Sequence, residues 1–87
     1  MDHPHAAIAR RLKRANGHLE TIIEMIEEGR PCAQIAQQLQ AVEKAIESAK
    51  KALIHDHVSH NLERSFNASG SKVQAALRDF KLIAKYL

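Results

Sequence analysis

The residues best suited to chemistry are one cysteine and a group of imidazole and amide side chains farther along the chain. Cys32 is the only thiol, and His57, His60 and Asn61 lie about one helical turn apart, so two or three of them can converge on one point. One thiolate with two or three imidazoles suits borderline cations such as nickel, cobalt or zinc, whereas copper(I) prefers more sulfur. The spacing therefore predicts a transition-metal site.

Other interpretations of these residues stay open. A free cysteine is often a small buried hydrophobic residue, and Cys32 near a helix start could instead be a reactive thiolate. The amino-terminal His3 and His5 are candidates to complete a metal shell, while His18 and His55 are predicted to be polar surface residues. No third orienting residue, oxyanion motif or phosphate-binding glycine loop accompanies the cysteine. The sequence therefore predicts that the protein is not an enzyme.

The element that must position these residues is a long helix. Apolar residues recur at alternating steps of four and three, without Gly or Pro, at Ile35, Leu39, Val42, Ile46, Ala49 and Leu53. At a rise of about 1.5 Å per residue, Cys32 and His57 would lie roughly 37 Å apart on one straight helix. They meet only if two copies pack antiparallel about a twofold axis near Lys44 and Ala45. The pattern therefore predicts a site assembled by dimerisation.

Two helices are predicted before residue 67. The first spans Ala6 to Glu28 and carries a buried stripe of Ile8, Leu12, Ala15, Leu19, Ile22 and Ile26. Gly29 is expected to end this helix, and Pro31 suits the first turn of the second helix, which runs to Arg64 or Phe66.

A third helix follows a turn at Asn67 to Ser71, with Ser71 as its predicted N-cap. Its apolar face comprises Val73, Ala76, Leu77, Phe80, Ile83, Ala84 and Leu87. The predicted fold class is therefore all-α, a three-helix chain with a long central helix. Residues 1–87 are expected to form a single domain, of which residues 1–5 are a flexible arm.

Basic residues concentrate in the first half of the first helix. These are Arg10, Arg11, Lys13 and Arg14, and the second helix adds Lys50 and Lys51. A solvated helix surface is one interpretation, and a surface that contacts the phosphates of double-stranded DNA is the other. No helix-turn-helix spacing, zinc-finger pattern or aromatic interleaving is present, so a duplex would be contacted through the surface of an assembly.

Composition limits the remaining possibilities. With 87 residues and a net charge of +3, the chain is of a size at which a monomeric core is thin and oligomerisation is a common remedy. A single cysteine excludes an intrachain disulfide, and neither a signal peptide nor an apolar membrane span is visible. A cytoplasmic protein without a membrane partner is the expectation.

Three stretches resemble one known family. The first helix reads RLKRANGHL from residue 11, the second reads CAQIAQQLQAV from residue 32, and a later segment reads DHVSH from residue 56. Together they resemble the CsoR/RcnR family of bacterial metal- and formaldehyde-responsive transcriptional repressors, over nearly the whole chain.

The resemblance implies an antiparallel helical dimer that assembles into a disc-like tetramer and binds operator DNA when the inducer is absent. It implies that Cys32 and His57 of different subunits form the core of the sensing site. It also matches Arg11, Lys13 and Arg14 to the family's DNA-contacting segment. The expected function is an inducer-responsive repressor.

The chain departs from the family one turn after His57, where members usually carry Cys or His. Asn61 stands there, and its amide oxygen is a weak neutral ligand, so nickel, cobalt or zinc is favoured over copper(I). His60, His3 or His5 would compensate.

Two alternatives to a metal-responsive repressor are kept. Formaldehyde-responsive members, which need no metal, use the cysteine with an amino-terminal amine beside a proline at position two, where this chain has Asp2 and places its proline at Pro4. The other alternative is a metal-binding accessory protein that does not bind an operator.

Overall fold

The computed structural model describes residues 5–65 and 70–87, which form three α-helices and no strand. Helix α1 spans Ala6–Glu27, α2 spans Cys32–Ser65 and α3 spans Gly70–Ala84. The predicted all-α class and the long central helix are confirmed. None of the described helices combines the length and apolar character needed to cross a membrane.

Gly29 ends α1 through its backbone conformation. Its φ of +72° lies in the left-handed region, which a residue with a Cβ rarely adopts. The Gly29 N–H donates to the Ile26 carbonyl at 3.1 Å, and the Arg30 N–H donates to the Met25 carbonyl at 3.0 Å. These two bonds form a Schellman motif, as the sequence predicted for a glycine at the helix end.

Pro31 lies one position before the helix that it was expected to open. Its carbonyl accepts hydrogen bonds from the N–H groups of Gln34 at 3.0 Å and Ile35 at 3.2 Å, so Pro31 is the N-cap of α2 and Cys32 is the first helical residue.

The start of α3 also differs from its prediction. Because α3 begins at Gly70, Ser71 lies inside its first turn, and the prediction that Ser71 is the N-cap is wrong. The rest of the predicted turn, residues 67–69, lies outside the described residues. Helix α3 ends at Ala84, so Leu87 is not on its helical face.

The described residues pack as two compact units. The first contains α1 and the part of α2 up to Lys50, and the second contains the remainder of α2 with α3. The first unit buries Ile8, Ala15, Ile22, Val42 and Ala49, and the second buries Ile54. That residues 1–87 act as a single domain stays a prediction.

Half of the predicted apolar stripe on each long helix is exposed in a single chain. The exposed residues are Leu12, Leu19 and Ile26 in α1, and Leu39, Ile46 and Leu53 in α2. Each set repeats every seven residues, and exposure ranges from 38% to 57%. The prediction that the α1 stripe is fully buried is wrong, because one neighbouring helix covers only one side of a broad apolar face.

The same holds for α3. Of its predicted apolar face, Leu77 and Phe80 are exposed, whereas Val73, Ala76 and Ile83 are half-buried. Packing within one chain therefore uses only one side of α3.

Replacing Gly29 with Ala should lower the free energy of unfolding by about 1 kcal/mol, because Ala resists the left-handed conformation. The matched control is Gly17→Ala inside α1, where an added Cβ meets no atom within 4 Å. That change should raise stability by about 0.5–1 kcal/mol. Urea denaturation followed by circular dichroism measures both, and effects of the same sign would contradict the assignment.

Candidate functional site

His57, Asn61 and Asp79 form a hydrogen-bonded cluster in the second unit. The imidazole Nε2 of His57 hydrogen-bonds to Oδ2 of Asp79. The amide Nδ2 of Asn61 donates to the same oxygen at 2.7 Å and lies 3.4 Å from His57 Nε2. All three residues are half-buried. One carboxylate oxygen of α3 therefore holds two polar side chains of α2.

Helical spacing explains why the α2 members of this cluster face α3. Ile54, His57, Val58 and Asn61 follow one another at steps of three, one and three, which keeps them on one side of a helix. Ile54 is buried, and the other three are half-buried. An apolar row therefore carries His57 and Asn61 into the contact with α3.

Sequence reasoning missed Asp79. This residue lies three positions after Ala76 and four before Ile83, within the half-buried row of α3. A carboxylate at such a position requires a polar partner. That spacing was the available signal, but only the packing of the two helices identifies His57 and Asn61 as the partners.

The hydrogen bond from His57 lowers the pKa of the Asp79 carboxyl below its ordinary value of 3.8. The charge of His57 and the hydrogen bond from Asn61 act in the same direction, while partial burial opposes them. Asp79 is therefore a carboxylate at neutral pH.

A groove of about 350 Å³ borders this cluster. His57 and Asn61 line one part of it, and the remaining walls are apolar, formed by Val58, Leu62, Val73, Ala76, Leu77 and Phe80. The groove leaves space beside the imidazole and the amide for a further group.

Cys32, the predicted thiolate ligand, is a free and exposed cysteine at the start of α2 in the first unit. Among residues 5–65 and 70–87 of one chain, no three His, Cys, Asp or Glu side chains are grouped to hold a metal ion. The described residues of a single chain thus provide the His57–Asp79 pair but no complete site. The pairing of Cys32 with His57 stays a prediction.

The other predicted ligands lie apart from this cluster or beyond the described part. His60 is exposed on α2, and His5 is half-buried at the N-cap of α1, where its carbonyl accepts the Ala9 N–H at 2.9 Å. His3 lies outside the described residues. His55 is exposed, as predicted.

His18 is not a simple surface residue. Its Nε2 lies 2.6 Å from Oε1 of Gln38, in a partly buried hydrogen bond between α1 and α2. The prediction of a polar surface position is corrected, because the facing helix supplies a partner. This bond links the two helices of the first unit.

All of the predicted DNA-contacting residues are exposed. They are Arg10, Arg11, Lys13 and Arg14 in α1 and Lys50 and Lys51 in α2. Within the described ranges, no ion pair neutralises any of the four in α1. The start of α1 therefore presents a dense patch of uncompensated positive charge.

Residues 4–85 match the family model described as metal-sensitive transcriptional repressor. The chain belongs to this family. The resemblance to CsoR/RcnR proteins is thereby confirmed. The family and the relatives below are transcriptional repressors rather than enzymes, which agrees with the prediction of no enzymatic activity.

The similar curated proteins are named copper-sensing repressors. The chain is 40% identical over 63 residues to CsoR of Mycobacterium ulcerans, covering 72% of this chain and 50% of that protein. It is 32% identical over 71 residues to RicR of Mycobacterium tuberculosis, covering 82% of this chain and 74% of that protein. CsoR of Bacillus subtilis is 38% identical over 53 residues, covering 61% and 52%.

The chain thus spans about half the length of the CsoR proteins that it matches. No solved structure matches it. The names of these relatives give no support to the preference for nickel, cobalt or zinc over copper, or to formaldehyde.

Replacing Asp79 with Asn should lower the stability of the metal-free protein at neutral pH, and the difference should disappear in acid. Because the folded chain lowers this pKa, the stabilisation is complete above the unfolded value of 3.8 and is lost as pH falls through the folded pKa. Urea denaturation at several pH values, with chelator and fixed protein concentration, measures it. A difference independent of pH would show that the carboxylate charge contributes nothing.

Proposed function

We propose that this protein is an inducer-responsive, DNA-binding transcriptional repressor that acts in the cytoplasm. The observation that carries the proposal is the patch of four exposed basic residues within positions 10–14, unneutralised by any described acidic residue. Like charges three and four residues apart destabilise a helix by about 0.2–0.5 kcal/mol per pair. A sequence that keeps this cost is explained by phosphate binding, and family membership supports the same conclusion.

The proposed functional form is an antiparallel dimer, two of which form a disc-like tetramer. The exposed heptad rows of α1 and α2 support it, because a second copy would bury both rows in a four-helix arrangement. The midpoint between positions 32 and 57 falls between Lys44 and Ala45. A twofold axis there would bring Cys32 of one copy to His57 of the other. Lys50 and Lys51 would extend the basic surface of the assembly.

The proposed inducer is a transition-metal ion at this intersubunit site, with nickel, cobalt or zinc preferred to copper. The preference is supported by the donor set, which offers one thiolate and imidazole from His57, aided by His60, His5 or His3. Asn61 adds no sulfur, and its amide nitrogen is bonded to Asp79. The exposed thiol of Cys32 favours formaldehyde as the second candidate inducer.

Release from DNA would follow from coupling between the two sites. Metal ligation would tie the amino-terminal arm and α1 to α2 of the neighbouring copy, which would move the basic patch out of register with the phosphates. A coupling free energy of about 1–3 kcal/mol is sufficient for such a response.

Fluorescence anisotropy of the duplex upstream of the protein's own reading frame tests this function. The complex is formed at fixed salt and then challenged separately with nickel, cobalt, zinc, copper(I) and formaldehyde. Release by one of them would support the repressor and identify its inducer. Binding no tighter than to random duplex would reject the repressor in favour of a metal-binding accessory protein.

Replacing Arg14 with Ala should weaken binding to operator and random duplex alike and reduce the salt slope of log K by about 1, because one phosphate contact is lost. Arg30→Ala is the matched control, since Arg30 is exposed at the far end of α1 and lies 4.0 Å from Glu28. It should leave the slope unchanged. An unaltered slope for the Arg14 variant would remove Arg14 from the interface.

Cys32→Ala and His57→Ala should each abolish the inducer response while preserving DNA affinity. If the site is shared between subunits, co-refolding the two variants in equal amounts should restore about one quarter of the metal sites, since half of the dimers are mixed and each holds one intact pair. Metal stoichiometry measures the recovery. No recovery in confirmed mixed dimers would place both residues in a site within one chain.

A further inference from the structure

We propose that Asp79 is a direct ligand of the inducer metal, so that the site combines His57 and Asp79 of one copy with Cys32 of a second copy. The inference rests on the proposed function, because it requires the intersubunit site. It assigns a third donor where the chain lacks the Cys or His that would follow His57 by one turn.

The geometry of the cluster supports a shared ion. Nε2 of His57 and Oδ2 of Asp79 face each other, and the Asn61 amide nitrogen is 2.7 Å from that oxygen and 3.4 Å from that nitrogen. Donor atoms bound to one ion at about 2.0–2.2 Å lie about 3 Å apart, so a small outward rotation of the two side chains would admit the ion. In the metal-free chain, a proton occupies the position between them.

The proposed exchange is balanced without any redox change. The proton on Nε2 is given up as the ring adopts the Nδ1–H tautomer, and Nε2 donates its lone pair to the metal. Asp79 is already a carboxylate, and the Cys32 thiol releases its proton to solvent. The Asn61 amide can rotate to direct its oxygen toward the same ion.

Access and chemistry both favour this assignment. His57 and Asp79 have side-chain exposures of 36% and 43%, and the neighbouring groove leaves space at His57. A set of one thiolate, one imidazole and one carboxylate suits zinc, cobalt or nickel, whereas copper(I) gains little from a carboxylate. Asp79 would therefore determine selectivity for a borderline divalent ion.

The alternative is that Asp79 only orients His57, which would bind through Nδ1. Within residues 5–65 and 70–87, neither Nδ1 of His57 nor Oδ1 of Asp79 makes a hydrogen bond, so this geometry is available. An orienting carboxylate supports every metal that His57 binds, whereas a ligand supports mainly the harder ions. The two roles are therefore separated by comparing cobalt(II) with copper(I).

The experiment measures cobalt(II) and copper(I) affinities of the full chain by competition with chelators of known affinity. Asp79→Ala should weaken cobalt(II) binding by more than ~100-fold and leave copper(I) affinity within about threefold, whereas an outer partner costs about 10–100-fold for both ions. Asp79→Asn should not rescue cobalt(II) binding. Rescue by Asn, or equal losses for both metals, would overturn the assignment.

Asp56→Ala is the matched control. Asp56 lies beside His57 in sequence, is exposed and is 3.8 Å from His55, so its removal changes the charge equally near the site. Its cobalt(II) affinity should equal that of the unaltered protein, and an equal loss would reduce the Asp79 effect to general electrostatics.

The charge-transfer band of thiolate-bound cobalt(II) separates failure of this inference from failure of the proposed function. The band should be present in the unaltered protein and absent from Cys32→Ser. Its absence from the unaltered protein would overturn the intersubunit site and the Asp79 assignment together. A band accompanied by unaltered cobalt(II) affinity in Asp79→Ala would overturn the Asp79 assignment alone.

Discussion

The structure depends on a mismatch between the apolar faces of two helices and what one chain can cover. Helices α1 and α2 each carry two heptad rows, and their mutual packing buries one row from each, including Ile22 and Val42. The other rows, including Leu19 and Ile46, are left exposed, although burying one such side chain is worth about 1.5–3 kcal/mol. A small chain with so few buried residues gains most from a second copy, and this need links its stability to the assembly of its site.

Polar groups replace apolar ones where α2 packs against α3. His57 and Asn61 continue the row that begins with the buried Ile54, and Asp79 meets them from α3. Half-buried polar groups are tolerated because each finds a partner in the other helix. The same arrangement keeps a carboxylate and an imidazole close together beside a groove, as a metal-responsive site requires.

Charge is distributed in a way that does not favour the isolated helix. The basic residues of α1 lie close together without described acidic partners, and its last turn contains Glu24 and Glu27 but no basic residue. Acidic side chains near a helix carboxyl end oppose the helix dipole. Packing through Ala15 and Ile22 compensates for these costs, so the surface of α1 is free to serve binding.

The sequence by itself determined the three helices, the turn at Gly29 and the family, because helical periodicity and a left-handed glycine are local properties of the chain. It also identified His57, through its spacing from Cys32. Only the tertiary structure decided which apolar rows are buried, that His18 bonds Gln38, and that Asp79 meets His57. These contacts join residues about twenty positions apart, and their formation depends on how two helices rotate against each other, which the period of either helix alone does not specify.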